Sequence, residues 1–112
     1  MINTISREQL KDMLDAKTPI KIVEALPAQY FREQHLPGAI NIPHNEIRNK
    51  AAEMLVNKDA FIAVYCANKE CKNSELAAKI LLQMGHTNVH EYSEGKEHWL
   101  EAGFSVESTN DL

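Results

Sequence analysis

Two cysteines, Cys66 and Cys71, are the residues best suited to chemistry in this chain of 112 residues, and four residues stand between them. That gap is wider than the two residues of a thioredoxin-type motif or a zinc knuckle, and no Cys or His pair follows at a metal-ligand spacing, so a metal site has no support. What remains is thiol nucleophilicity. A free thiol has a pKa near 8.5, so only about 3 % is thiolate at pH 7, but a helix N-terminus with nearby lysines lowers that pKa to about 3.5–7.5. Cys66 directly follows the apolar run Phe61-Ile62-Ala63-Val64-Tyr65 and precedes the short polar stretch Ala67-Asn68-Lys69-Glu70-Cys71-Lys72-Asn73. Such a stretch is expected to curl so that its amide groups converge on the sulfur, with a helix opening near Ser74 adding the positive end of its dipole. Lys69 and Lys72 add attraction, partly offset by Glu70. A cradle of this kind stabilises one negative charge on a thiolate or on the terminal sulfur of a persulfide. Cys71 is either a thiol that resolves a modified Cys66 or an incidental loop cysteine.

The surrounding elements must place Cys66 at a strand end. Ser6-Arg7-Glu8-Gln9 is a capping-box pattern, Ile5 and Leu10 are spaced for a hydrophobic staple, and Leu10, Met13 and Leu14 give a helical stripe from Arg7 to Ala16. Pro19 ends it. Ile20-Lys21-Ile22-Val23 fits a buried strand, Pro27 opens a short helix through Phe31, and His35-Leu36-Pro37-Gly38 is turn chemistry. Ala39-Ile40-Asn41-Ile42 is a second strand closed by Pro43, and Ile47, Ala51, Met54 and Leu55 share one face of the helix that follows. Phe61–Tyr65 is too short for a helix and suits a central strand covered on both faces. Leu76, Ala77, Ile80, Leu81 and Met84 keep helical spacing up to a Gly85 C-cap; Val89 to Tyr92 is a strand, and a helix from about Lys96 to Ala102 stops at Gly103. Alternating strands and helices predict one α/β domain over residues 1–112, with a mainly parallel sheet of about 4–5 strands and helices on both faces. In such sheets ligands bind beyond the carboxyl ends of the strands, where Cys66 falls.

Composition narrows the classes of partner. Hydrophobic residues make up 44 % and charged residues 25 %, the usage of a soluble globular protein. The net charge of -4, with scattered bases, argues against nucleic acid. No run approaches membrane-spanning length, and the amino terminus lacks a basic-then-apolar leader, so a cytoplasmic chain with reduced thiols is expected.

The stretch Tyr30-Phe31-Arg32-Glu33-Gln34-His35-Leu36-Pro37-Gly38-Ala39-Ile40-Asn41-Ile42-Pro43 resembles the rhodanese family's pattern of a short helix, a histidine, Pro-Gly-Ala and a strand closed by proline. Val64-Tyr65-Cys66 is similar to the strand that delivers that family's nucleophile. Gly85 with Asn88-Val89, Glu94-Gly95 with Trp99, Ala102-Gly103-Phe104 and Val106-Glu107 resemble its closing segments, so the likeness runs from about Ile20 to Glu107. The resemblance implies a sulfurtransferase that moves sulfane sulfur from thiosulfate or a persulfide donor to a thiol or cyanide acceptor. By position, Cys66 would be the nucleophile, and Ala67, Asn68, Lys69, Glu70, Cys71 and Lys72 the loop that binds the transferred sulfur and donor oxyanion. No cofactor is implied; the partners are a small sulfur-donor anion and a thiol or protein acceptor.

Two departures stand out. Where many members carry Asp-x-Arg, this chain has Glu24-Ala25-Leu26, so an arginine is missing and its support must come from elsewhere. Five residues after the cysteine, where an arginine followed by Ser or Thr is usual, stand Cys71 and Lys72, with Ser74 two residues later than that pattern. This looks like a family variant with a second loop cysteine. The Cys66-x5-Lys72 spacing also matches cysteine phosphatases and arsenate reductases except that lysine lacks the bidentate fork of arginine. A binding or regulatory module without turnover is a third alternative. Trp99 is expected to pack in the core, His35 to brace its turn, and His86, His90 and His98 to be exposed.

Overall fold

The computed structural model describes residues 2–109. Its elements in chain order are β1 (Asn3–Thr4), α1 (Arg7–Asp15), β2 (Lys21–Glu24), α2 (Ala28–Glu33), β3 (Ile40–Asn41), a 3-10 turn (His44–Glu46), α3 (Ile47–Met54), β4 (Ile62–Tyr65), α4 (Asn73–Gln83), β5 (Val89–Glu91) and α5 (Gly95–Glu101). The five strands are all parallel, in the order β1-β5-β4-β2-β3. From β2 the chain moves outward to β3; it then crosses back to β4 and continues outward to β5. The direction of winding therefore reverses between β2 and β4, the place where an open parallel sheet leaves a crevice at its carboxyl edge.

Local sequence explains the starts and stops. Ser6 accepts from the Gln9 amide while the Gln9 side chain accepts from the Ser6 amide, which completes the capping box at the head of α1. Ile5 and Leu10 are both buried, as a staple requires. Pro27 precedes α2 with its ring fixing the entry φ at -56°. Gly85 follows α4 at φ 99°, a left-handed position that glycine takes without a Cβ clash.

The strands alternate faces. Val23, Ile62, Val64 and Val89 pack with Ile47, Ala51 and Leu55 of the α3 region and with Ala77, Ala78 and Leu81 of α4. Ile22, Ala63 and Tyr65 turn the other way, onto Leu10 of α1, Trp99 of α5 and partly buried Phe31 of α2. Helices thus cover both faces, as the alternating pattern predicted. Trp99 is 1 % exposed, donates its indole N–H to the Ser105 carbonyl at 3.0 Å and sets its ring edge-on to Phe104.

Four details differ from the sequence-based expectation. The β1 strand has no sequence signal, because its two residues are exposed, carry no hydrophobic pattern and join the sheet by pairing with β5. Met54 is half-exposed instead of sharing the buried face of Ile47 and Ala51, since α3 ends at that residue. His86 is not exposed but buried: its amide folds back to the Leu81 carbonyl at 3.1 Å and draws the ring under the end of α4. His90 and His98 are partly buried, His90 stacked on Phe61 and His98 bonded through its carbonyl to the Arg7 guanidinium.

Candidate active site

Cys66 is the first residue beyond β4, on the α4 side of the sheet by alternation from Val64, and it is 1 % exposed. Its sulfur is joined to Cys71 in a disulfide, with the two Cα atoms 6.3 Å apart. Folding therefore brings both predicted thiols into bonding contact. Cys66 Sγ also lies 3.4 Å from the Cys71 carbonyl oxygen and 3.3 Å from Ser74 Oγ, and the Ser74 hydroxyl donates to Glu91 Oε2 at 2.8 Å.

The loop between the cysteines is organised by Asn68. Its side-chain oxygen accepts from the amides of Glu70 and Cys71, each at 3.1 Å, and its amide group donates to Glu97 at 3.0 Å. In this disulfide form those two loop amides serve Asn68 and are not bonded to the sulfur. Lys72 is the N-cap of α4 and offers no side-chain acceptor, which leaves the first-turn amides of an eleven-residue helix without a side-chain cap beside the cysteine pair. Lys69 and Glu70 sit over a cleft with Asn68, Glu94, Glu97, His98 and Glu101, so the rim on that side is mostly acidic.

α5 holds the loop from behind. The Lys96 amide donates to the Cys66 carbonyl and the Glu97 amide to the Ala67 carbonyl, both at 2.9 Å. Gly95, at φ 84°, lets the helix come this close: a Cβ there would lie 2.6 Å from the Asn68 amide nitrogen and 2.7 Å from the Ala67 carbonyl carbon.

The end of β2 carries a buried ion pair that sequence spacing could not show. Glu24 is fully buried at the end of β2, and the Lys96 ammonium reaches its Oε1 at 3.1 Å while donating to the Tyr30 and Gln34 carbonyls at 3.1 and 2.6 Å. Tyr65 completes the cluster, donating its hydroxyl to Glu24 Oε1 at 2.7 Å and accepting the Leu36 amide at 3.1 Å. Burial, reinforced by the Glu24 charge, pushes the Tyr65 hydroxyl well above its ordinary pKa, which keeps it a donor. The only sequence signal was an acidic residue closing an apolar strand.

His35 braces its turn as expected: Nδ1 is 2.8 Å from the Phe31 carbonyl, the ring stacks on Phe31, and its backbone pairs with Glu107. It lies within the fold's support and makes no contact with the cysteines.

Residues 6–102 match the family of the rhodanese-like domain. The chain belongs to that family. A thiosulfate sulfurtransferase (PspE) of Escherichia coli is 38 % identical over 64 residues, covering 57 % of this chain and 59 % of that protein. An HTH-type transcriptional regulator of Mycobacterium tuberculosis is 31 % identical over 88 residues, 79 % of this chain and 38 % of the regulator. Among solved structures, the BH2092 protein of Bacillus halodurans superposes with a TM-score of 0.87 at 28 % identity, over 96 % of this chain and 78 % of the other. The rhodanese-like chain spans between 23 and 59 % of the lengths of the curated relatives it matches. Among the described residues no helix is long and apolar enough to cross a membrane.

Proposed function

We propose that this rhodanese-like domain is a sulfurtransferase in which Cys66 carries sulfane sulfur as a persulfide. The observation that carries this reading is the placement of Cys66 at the carboxyl end of the central strand, where the sheet reverses its winding, at the head of a helix without a side-chain cap. In the reduced protein the Cys66 thiolate attacks the outer sulfur of thiosulfate. A Cys66–sulfur bond forms, the donor S–S bond breaks, and sulfite leaves with the electron pair. An acceptor thiolate or cyanide then attacks the outer sulfur and regenerates the Cys66 thiolate. The residues proposed to surround the transferred sulfur are Ala67 to Lys72, with no cofactor.

Cys71 supplies a second exit. Its thiol attacks Cys66 Sγ while its proton passes to the outer sulfur, the persulfide bond breaks, hydrosulfide leaves, and the Cys66–Cys71 disulfide remains. An external dithiol must reduce that bond before the next cycle, which favours a reducing compartment such as the cytoplasm. The contact between the two sulfurs supports this branch.

The test is intact-mass spectrometry of reduced wild type, Cys66→Ser and Cys71→Ser after thiosulfate and then cyanide. A single added sulfur that requires Cys66 and disappears with cyanide is expected. No adduct on folded, reduced protein sinks the sulfurtransferase reading, and turnover of phosphate or arsenate would establish the Cys-x5-Lys alternative. A second reading, a binding or regulatory module without turnover, draws on the relative named as a transcriptional regulator and on the missing Asp-x-Arg. It predicts no adduct and no turnover.

A further inference from the structure

Cys66 shares the end of β4 with two polar residues that the proposed cycle does not use. Ser74 is 1 % exposed; its oxygen faces Cys66 Sγ at 3.3 Å, and its proton is donated to Glu91 Oε2 at 2.8 Å. A hydroxyl has one proton, and here Glu91 holds it, so Ser74 turns a lone pair toward the sulfur. A Cys66 thiol can donate its S–H into that lone pair. A Cys66 thiolate cannot, and it meets a carboxylate of the same sign about 6 Å away or less, within the range where a like charge disfavours ionisation.

Bonding a second sulfur takes the charge off Cys66 Sγ itself. In a persulfide or a disulfide Cys66 Sγ is neutral, and the persulfide charge sits on the outer atom, about 2.05 Å farther along the S–S bond. The Cys71 sulfur marks the side of Cys66 on which that outer atom fits. We propose that Glu91, acting through Ser74, is a positioning residue that biases Cys66 against the free thiolate, the state in which the charge sits on Sγ itself. This inference rests on the reading of Cys66 as the reacting thiol.

The other charges nearby are few. Across a shallow cleft Glu91 faces Glu75 and Lys79 of α4; its register neighbours Thr4 on β1 and Val64 on β4 carry none. Around Cys66 stand Cys71, Lys69, Glu70 and Lys72 of the loop; from α5 the Lys96 amide meets the Cys66 carbonyl, while its ammonium is engaged by Glu24. The Ser74 hydroxyl bonds Glu91 and faces Cys66, which makes the route between them separable by substitution.

The experiment follows alkylation of Cys66 by iodoacetamide against pH in the reduced full chain carrying Cys71→Ser, which leaves one thiol. Adding Glu91→Gln is expected to lower the midpoint by about one pH unit and to speed alkylation at pH 7 by up to about ten-fold. Glu91→Asp keeps the charge and guards against a folding artefact; it is expected to leave the midpoint higher than Glu91→Gln does. In a Cys71→Ser/Ser74→Ala background the effect of Glu91→Gln is expected to shrink to less than half. An unchanged midpoint with Glu91→Gln overturns the proposal, and so does an equal shift with and without Ser74. The readout needs no sulfur donor, so its failure is distinguishable from a missing thiosulfate adduct: a shift without an adduct sinks the persulfide reading alone.

Discussion

Replacing Cys71 with serine separates loading of the site from its discharge. The Cys66 persulfide on that variant is expected to outlive the wild-type one by at least about ten-fold in the absence of acceptor, because an adjacent thiol attacks far faster than one in solution. Time-resolved intact mass and sulfide release check this, and equal lifetimes would remove Cys71 from the cycle. At Gly95 the prediction concerns backbone. A Cβ at φ 84° costs about 1–2 kcal/mol in itself. It would also press on the backbone of Ala67 and Asn68, so Gly95→Ala is expected to lower stability in urea and to slow adduct formation on Cys66 together. Normal loading in a destabilised Gly95→Ala protein would show that α5 does not shape the loop.

Between elements, the buried ion pair of β2 and α5 has the largest expected effect. Lys96→Met leaves Glu24 fully buried without its cation, a change that typically costs about 3–5 kcal/mol. Glu24→Gln with Lys96→Met is expected to recover part of the loss, measured by equilibrium denaturation. At the end of α1, Lys17 occupies φ 57° while its amide and that of Thr18 close the last turn onto Leu14 and Met13; Lys17→Gly is expected to gain about 1 kcal/mol. Neither feature could be read from the sequence, whereas much of the framework could. The capping box, the β-branched run before Cys66 and the helical stripe of α4 are local, and local pattern predicted them to within a residue or two. The Glu24–Lys96 pair joins residues 72 apart, and the Ser74–Glu91 bond joins residues 17 apart across a crossover. Such contacts exist only once the topology is closed. The cysteine position was legible because it follows a central strand; the surroundings of its sulfur were not, because the partners of the Glu70 and Cys71 amides and of Sγ, Asn68 and Cys71, are set only by how the loop closes.

Across the whole molecule, stability should depend on pH through two histidines. His86 is held below its ordinary pKa by burial and then by the Lys58 charge, and His90 by burial. Each binds a proton less readily folded than unfolded, so stability is complete above about pH 6.5 and is lost as pH falls below it toward the lowered folded values. Urea midpoints at pH 7.5 and 5 are expected to show this fall, and His86→Asn to reduce it; a flat profile would remove both histidines from the balance. The clamp of α5 on the cysteine loop has one more consequence, for the order of events during synthesis. Lys96 and Glu97 tie down the Cys66 and Ala67 carbonyls from thirty residues farther along the chain. A nascent chain that has emerged only as far as β5 has both thiols but no finished pocket. Sulfur is therefore expected to be accepted only after α5 has left the ribosome and docked, and ribosome-bound chains halted before Gly95 should react with thiosulfate no better than an unfolded peptide.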